Sequence, residues 1–327
     1  MKEDIFMNKD ISVNENKRID ILPQIGNLYK VNLHTHSTLS DGNFTPEELK
    51  RLYMSEGYSA VAFTDHRAFI PHPDLTDDSF VALTGAELDF TAMDNGCWEC
   101  AVHINAISRD ENHTGSYERM PLDYSLINKT VEKLKADGCY VTLNHPVWSN
   151  MSTEDMFKVK GVDAVEIFNS IGVMFNNYAD DTPLYEYYLR HGGKAGLVAG
   201  DDTHKIFEDG TPFMEYYRSF TMLKAKELTY ESLMDALEHG DCYASTGPVF
   251  KNLWLDGDIL HVECSPVFGV YVHSRYMNIK TQDVRRTDCI TETELDISEI
   301  RKSGSPYIWV QLRDLSGGKA WANPYWF

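Results

Sequence analysis

Long apolar runs are missing from this sequence of 327 residues. It contains no stretch of eighteen consecutive apolar residues, so a transmembrane helix is not expected. The segment from Met1 to Asn16 is polar and charged, where a secretory signal would carry an apolar stretch. We therefore expect a soluble protein that does not associate with membranes and is located in the cytoplasm.

Basic residues are also scarce. The chain has 30 lysines and arginines against 50 aspartates and glutamates, which gives a formal net charge of -20. Such a charge repels polyanions, and the sequence shows no local basic groove, so a long nucleic acid is not expected as a partner. Bound divalent cations would reverse the sign of the field locally, so a small anionic substrate remains compatible with the sequence.

Cysteines are few and irregularly spaced, which excludes the disulfide framework of a small secreted domain. The segment from Cys97 to Cys100 has the CxxC spacing of a zinc knuckle or a redox pair, but no second CxxC and no paired histidines follow at zinc-finger distance. We therefore interpret these two as a pair in a loop, and all six cysteines as reduced thiols. The six stand at positions 97, 100, 139, 242, 264 and 289.

From about Leu28 to Ser245 the sequence alternates short apolar runs rich in β-formers with helical stretches. This alternation is typical of βα units around a parallel sheet or barrel. With 43% hydrophobic and 24% charged residues, the composition is that of a folded globular protein, and the length suits one α/β barrel with a small module. Seven or eight strands predict a closed barrel. The predicted strands are Tyr29 to Leu33, Ala60 to Phe63, Val81 to Gly85, Val102 to Ile107, Tyr140 to Leu143, Ala164 to Phe168, Gly196 to Ala199 and Ser219 to Leu223.

Two of the predicted helices have clear boundaries. Thr45 can act as the N-cap of the first, with Pro46 at the first helical position and Glu48 completing a capping box. The second extends from Leu228 to His239 and ends at Gly240.

After Gly247-Pro248 the helical periodicity gives way to alternating strand-like segments. We therefore divide the chain into an N-terminal extension (1–27), a barrel (28–247) and a small antiparallel β-sandwich domain (248–327). The predicted strands of this last domain are Leu253 to Leu255, Ile259 to Cys264, Val270 to His273 and Tyr307 to Leu312, with a hairpin turn signal at Asp256-Gly257.

The strongest chemical signal is the segment from His34-Thr-His36 to Asp41-Gly42, directly after the first predicted strand. Two histidines at i and i+2 on a strand point to the same face, so both imidazoles can reach one metal ion. The following loop can bring Asp41 towards a neighbouring ion.

Similar short motifs with histidine or acidic residues recur at the other predicted strands. In a parallel barrel the carboxyl ends of the strands meet at one mouth, so these side chains are expected to converge. Each piece alone could be a polar strand end satisfied by backbone groups, but the set favours a multinuclear metal site. The pieces are Thr64-Asp65-His66, Gly85-Ala86-Glu87, His103, Asn144-His145-Pro146 and Asp202-Thr203-His204. The remaining histidines, interpreted as surface or core residues, are His72, His113, His191, His239, His261 and His273.

In these motifs residues 28–247 resemble the PHP family, the polymerase and histidinol phosphatase metallohydrolases. HxHxxxxDG, TDH, GxE, a strand histidine, NHP and DxH appear in the family order. The resemblance implies a distorted (β/α)7 TIM-like barrel and a trinuclear site of divalent zinc, manganese or iron. It assigns His34, His36, Glu87 and Asp202 to the first metal, Glu87, His103 and His145 to the second, and Asp41, His66 and His204 to the third. The tail segments 243–248 and 319–324 are similar to a subgroup with an added β domain, which includes carbamate or ester hydrolases.

The resemblance further implies a phosphoesterase that uses a metal-bridging hydroxide, held by Glu87, Asp202 and His204. The expected substrate is a small phosphomonoester or a short nucleotide, which Arg67, Lys205 and Arg218 are candidates to grip. Asp65, Asn144 and Asp201 adjoin ligands and could orient them or only cap strand ends. The same two interpretations stay open for Glu166 and Asn169.

Two other functions stay open from the sequence. The same metals could cleave a carbamate or carboxylic ester, as the tail suggests. The barrel could also be a non-catalytic binding module, although a degenerate site usually loses some of its costly buried charges, and here every ligand position is filled.

Overall fold

The computed structural model describes residues 18–206, 209–211, 214–276, 280–285 and 288–327. They form a mixed α/β fold with a large central sheet. Most of the predicted N-terminal extension lies outside the described residues. The strands are β1 (Ile19–Leu22), β2 (Asn27–Asn32), β3 (Ala60–Phe63), β4 (Ala68–Phe69), β5 (Val81–Asp94), β6 (Cys97–Ser108), β7 (Gly115–Ser116), β8 (Met120–Pro121), β9 (Cys139–Leu143), β10 (Ala164–Asn169), β11 (Gly196–Gly200), β12 (Phe220–Ala225), β13 (Cys242–Ser245), β14 (Phe250–Asp256), β15 (Ile259–Val267), β16 (Gly269–Ser274), β17 (Lys280–Asp283), β18 (Ile290–Asp296), β19 (Tyr307–Arg313), β20 (Lys319–Ala322) and β21 (Tyr325–Trp326).

Local capping chemistry marks the bounds of two helices that were predicted from the sequence. The predicted capping box is confirmed, because Glu48 N donates to Thr45 Oγ1 at 3.2 Å and Thr45 N donates to Glu48 Oε2 at 2.8 Å. Gly240 ends the helix from Tyr230 in the left-handed conformation at φ 70°. None of the described helices is long and apolar enough to cross a membrane. The helices are α1 (Pro46–Ser55), α2 (Tyr124–Ala136), α3 (Thr153–Lys158), α4 (Ser170–Phe175), α5 (Thr182–Arg190), α6 (Tyr230–His239) and α7 (Ser298–Lys302), with a 3-10 turn at Pro73–Leu75.

The central sheet runs in the order β11-β10-β9-β6-β5-β3-β2-β12-β13-β20-β19-β16-β17. Its pairs β2 with β3, β3 with β5, β9 with β10 and β10 with β11 are parallel, as expected for βα units. β3, β5, β9, β10 and β11 are buried along most of their length, as expected for strands of a parallel sheet, whereas β2 is buried only at its end. The predicted strands therefore lie beside one another in chain order, but two of them, β6 and β12, are antiparallel to their neighbours.

The first of these differences is the hairpin formed by β5 and β6, which is antiparallel where parallel strands were predicted. β5 does not end at Gly85 but continues to Asp94, and β6 returns beside it from Cys97. The turn residues Asn95 and Gly96 have φ values of 50° and 81°, as a type I′ turn requires. β6 also pairs antiparallel with β9, and β12 pairs antiparallel with β2.

The first and last strands of this series meet at their carboxyl ends. Thr35 and Thr203 form an isolated parallel bridge, Asp202 N donates to His34 O at 2.9 Å, and His36 N donates to Thr203 O at 3.0 Å. Between β2 and β11 the described residues form this bridge but no continuous ladder, so a closed barrel is not established. The contact nevertheless places the two segments that carry the strongest motifs side by side.

The C-terminal strands contribute to two sheets. β1, β14, β15 and β18 form a separate antiparallel sheet of four strands, and the predicted hairpin between β14 and β15 is confirmed. β20, β19, β16 and β17 continue the central sheet through the pairing of β13 with β20. Apolar side chains of both sheets, such as Leu253 and Leu260 in one and Val270 and Ile308 in the other, pack in one core cluster.

Candidate metal centre

Six histidines and four acidic residues gather where β2 and β11 meet. Within each of four groups, one nitrogen or oxygen atom from every residue lies within 4.8 Å of the others. Glu87 and His36 are each shared between groups, so the groups form one continuous cluster. The groups are His34, His36, Glu87 and Asp202; Glu87, His103 and His145; His36, Asp41, His66 and His204; and His34, His145 and Glu166.

Strand ends and strand alternation bring these side chains together. His34 and His36 follow β2, and Glu87 faces them from within β5. His66 joins them through an isolated bridge to Glu87. His145 and Asp202 have positive φ values of 27° and 55°, a conformation that is uncommon for residues other than glycine.

In the innermost group, imidazole nitrogens face carboxylate oxygens without hydrogen bonding to them. His34 Nε2 lies 3.3 Å from Glu87 Oε1 and 3.2 Å from Asp202 Oδ1, and His36 Nε2 lies 3.2 Å from an oxygen of each. Both nitrogens and Asp202 Oδ1 are buried without a hydrogen-bond partner in the described part of the chain. Metal bonds of about 2.1 Å place adjacent ligand atoms about 3.0 to 3.4 Å apart. The donor atoms therefore fit a shared cation.

The second group is built around the other side of Glu87. Glu87 Oε1 lies 3.1 Å from His103 Nδ1 and 3.4 Å from His145 Nε2, and it also accepts a hydrogen bond from Asn144 Nδ2 at 2.8 Å. Ser149 Oγ lies 2.9 Å from His145 Nδ1 and fixes the ring with Nε2 towards the group. His103, His145 and Glu87 are all buried.

The third group lies at the open end of the cluster. Asp41 Oδ1 is 3.5 Å from both His36 Nδ1 and His204 Nε2, and Asp41 Oδ2 is 3.4 Å from His66 Nε2. The Asp41 side chain is 54% exposed, whereas His36 is fully buried. A small solute can therefore reach this end of the cluster from solvent.

The electrostatics show how strongly these groups depend on one another. Burial opposes protonation of His36, but the Asp202 and Glu87 carboxylates outweigh it and raise its pKa to about 10. Burial would raise the pKa of Glu87 and of Asp202, yet the neighbouring imidazoles hold both well below the ordinary value. Burial and nearby His36 lower the pKa of His66 to about 4 despite the carboxylates around it. The buried carboxylates thus remain ionised beside positive charge, which divalent cations would equally supply.

Two of the residues that the sequence marked as possible orienting groups contact the ligands from behind. Glu166 Oε1 lies 3.0 Å from His34 Nδ1, and Glu166 Oε2 accepts hydrogen bonds from His145 N and from Asn169 Nδ2. Asn169 Nδ2 also donates to Asp202 Oδ2 at 3.1 Å. Both residues are buried, so these contacts fix the ligand side chains in place.

Asp65 and Asp201 act on the backbone beside the ligands. Asp65 Oδ1 accepts a hydrogen bond from Ser37 N at 2.8 Å, in the loop that leads to Asp41. Asp201 accepts hydrogen bonds from the backbone N–H groups of Tyr217 and Ser219. The two aspartates therefore tie the ligand-bearing loops to their neighbours.

The three candidate substrate-binding cations differ in their surroundings. Arg67 forms an ion pair with buried Asp89, which is paired across the hairpin with His103 and so shares a face with the second group. The Lys205 Nζ atom lies over the Phe44 ring at 4.1 Å. Arg218 Nε donates to the Met214 carbonyl. Arg67 is thus placed beside the cluster by an observed contact, and the roles of the other two stay predictions.

The sequence did not point to Asp89, Arg119 or Trp148. Asp89 forms ion pairs with both Arg67 and Arg119. The feature of the sequence that could have indicated Asp89 is its position two residues after Glu87, which puts both side chains on the same face of the strand. The Trp148 ring lies 4.9 Å from the His145 ring. Cys97 and Cys100 are free thiols, as predicted, but they lie in β6 and not in a loop.

No family model and no curated protein matches the sequence. Among solved structures, a two-domain protein from Bacteroides vulgatus containing a predicted PHP-like metal-dependent phosphoesterase is 16% identical, with a TM-score of 0.46 over 91% of this chain and 94% of that one. A putative metal-dependent phosphoesterase from Bifidobacterium adolescentis is 15% identical, with a TM-score of 0.35 over 58% and 91% of the two chains. An amidohydrolase from Chromobacterium violaceum is 14% identical, with a TM-score of 0.37 over 56% and 93%.

Proposed function

We propose that the chain is a PHP-like metal-dependent hydrolase that cleaves a small phosphate ester. The observation that carries this proposal is the continuous cluster of histidine and carboxylate side chains. In its innermost group, His34 Nε2, His36 Nε2 and Asp202 Oδ1 are buried without a hydrogen-bond partner among the described residues. We further propose that the strands around it form a distorted (β/α)7 barrel and that residues 248–327 form an added β-sandwich domain.

The proposed ligand sets follow the three groups of the cluster. Divalent zinc, manganese or iron bound there would supply an activated water molecule and positive charge towards the phosphoryl oxygens. Buried Glu87 connects two of the groups, and Glu166 and Asn169 hold His34 and Asp202 in position. The sets are His34, His36, Glu87 and Asp202; Glu87, His103 and His145; and Asp41, His66 and His204, with His36 beside them.

Residues of the protein would position the attacking water and bind the substrate. Glu87, Asp202 and His204 would face the attacking water molecule. They would hold it in place by hydrogen bonds or orient it for attack. Substrate would enter at the exposed Asp41 end, and the Arg67 guanidinium, fixed by Asp89, would bind a phosphoryl oxygen. Lys205 and Arg218 are weaker candidates for the same task.

We also propose a small phosphorylated substrate and a cytoplasmic location. The net charge of -20 would oppose a long polyanion, while cations in the cluster would attract a small one locally.

The test is a substrate panel with the purified protein and manganese, zinc or iron added in turn. The proposal expects metal-dependent release of p-nitrophenol from p-nitrophenyl phosphate or bis-p-nitrophenyl phosphate, lost with a chelator and in His36→Ala. The matched control is His261→Ala, because His261 lies in the separate four-stranded sheet, stacked on Trp254. Hydrolysis of p-nitrophenyl acetate alone would overturn the phosphoesterase proposal and favour the carboxylic ester or carbamate alternative.

A further inference from the structure

An aromatic cavity of about 300 Å³ lies beside the cluster. Its lining includes Trp98, Trp148 and Phe175, together with Ser149 and Asn150. This volume lies at the lower end of the range of small-molecule sites, large enough for one planar ring system.

Two hydrogen bonds assemble the cavity wall in advance. Ala101 N donates to Ser149 O at 3.1 Å, and Asn150 Nδ2 donates to Glu99 O at 2.8 Å. They join the start of β6 to the loop that follows β9, so Trp98 and Trp148 are carried by segments fixed to each other. A preformed site loses less entropy when it binds a ligand.

Trp148 connects this cavity to the candidate metal centre. Its ring lies 4.9 Å from the His145 ring and 6.0 Å from the His103 ring. The next residue, Ser149, both lines the cavity and contacts His145 Nδ1 at 2.9 Å. A molecule in the cavity would therefore lie one side chain away from the second ligand group.

The exposure of the aromatic side chains indicates that the cavity binds a ligand. Trp98 is 54% exposed and Phe175 is 53% exposed, close together at the rim. Clustered exposed aromatic surface marks a binding site more often than an isolated apolar residue does. The guanidinium of Arg119, held by Asp89, lies 5.9 Å from the Trp98 ring and adds positive charge to this rim.

We propose that the cavity binds the planar aromatic ring of the substrate's leaving group while the ester lies at the metal cluster. This inference rests on the proposed function for the position of the ester. The ring would stack on the Trp98 and Trp148 faces, a contact that an aliphatic group cannot match. The substrate class is therefore an aromatic phosphate ester.

The test compares two phosphonates that resist hydrolysis, methylphosphonate and 1-naphthylphosphonate, by titration calorimetry of the metal-loaded protein. They share a head group, and only the second carries a ring. The proposal expects the naphthyl compound to bind at least tenfold more tightly, and expects Trp98→Ala or Phe175→Ala to remove most of that difference. The matched control Trp254→Ala changes a tryptophan of the separate four-stranded sheet and should keep the difference.

Equal affinity for the two phosphonates would overturn the proposal, as would a preference that survives both cavity variants. If neither phosphonate binds, the proposed phosphoesterase function fails. Titration with 2-naphthol, which has a ring but no phosphonate, then tests separately whether the cavity binds an aromatic ring. Binding of 2-naphthol that Trp98→Ala weakens would support the ring site, and no binding would overturn it.

Discussion

Replacing Glu166 by glutamine tests whether the buried groups behind the cluster orient its ligands. The Glu166 carboxylate lies between the His34 ring and two N–H donors, those of His145 N and Asn169 Nδ2. Glutamine has the same shape but only one oxygen. Its amide must therefore point NH2 either at those two donors or at His34 Nδ1.

Each orientation damages the site. In the first, N–H groups face each other in a buried position and at least one loses its partner. In the second, the amide donates to His34 Nδ1 and moves the ring proton to Nε2, the atom that faces Glu87 and Asp202. Loss of such an orienting contact weakens metal binding about 10- to 100-fold, or by about 1.4 to 2.7 kcal/mol.

The assay is competition for manganese or zinc against a chromogenic chelator, with wild type and Glu166→Gln side by side. The matched control is Glu263→Gln, because Glu263 bonds to Asn252 within the separate four-stranded sheet. Metal affinity of Glu166→Gln within twofold of wild type would refute the reasoning, provided that the two proteins unfold at the same urea concentration.

Three further outcomes are expected. Asp41→Asn removes the carboxylate that faces His66 and His204, so metal content by plasma mass spectrometry should fall by about one equivalent per chain. Burial raises the pKa of Asp181, whose folded form thus keeps its proton above about pH 4, where the unfolded form loses it. In urea titrations with a chelator, wild type should therefore lose stability relative to Asp181→Asn as the pH rises from 4 to 8; parallel curves would contradict this. Thr45→Ala removes a capping bond and should cost about 1 kcal/mol by urea unfolding, with metal content unchanged.

Features fixed by local chemistry were predictable from the sequence. The strand Ala60–Phe63 has the predicted bounds, and the cap at Thr45 forms both expected hydrogen bonds. The convergence of the candidate ligands was predictable because each follows or lies within a strand, and neighbouring strands place such residues together. Their roles as metal ligands stay a proposal that follows from this placement.

The hairpin of β5 and β6 was missed although its signal is present. Gly85 was interpreted as the end of a strand, but a side chain there would come within 3.1 Å of Ala106 O, so glycine permits close packing at this point. The true turn is Asn95-Gly96, a common hairpin dipeptide. Glu87 therefore lies within β5 and not after a strand, and it still faces the other candidate ligands.

Other features depend on contacts between distant segments. Asp89 reaches the cluster only through its pairing with His103, and Trp148 only through the packing of its loop against β6. Similarly, the pairing of β13 with β20 joins C-terminal strands to the central sheet. Strand register of this kind follows from the assembled core and is not encoded in a short motif.

The most direct test of the central claim is the number of metal ions bound per chain. Protein loaded with manganese or zinc, freed of excess metal by gel filtration and measured by plasma mass spectrometry should hold three equivalents. Because His36 and Glu87 each connect two groups, His36→Ala and Glu87→Ala should each lower that number by more than one. Fewer than two equivalents in the wild-type protein would contradict the account.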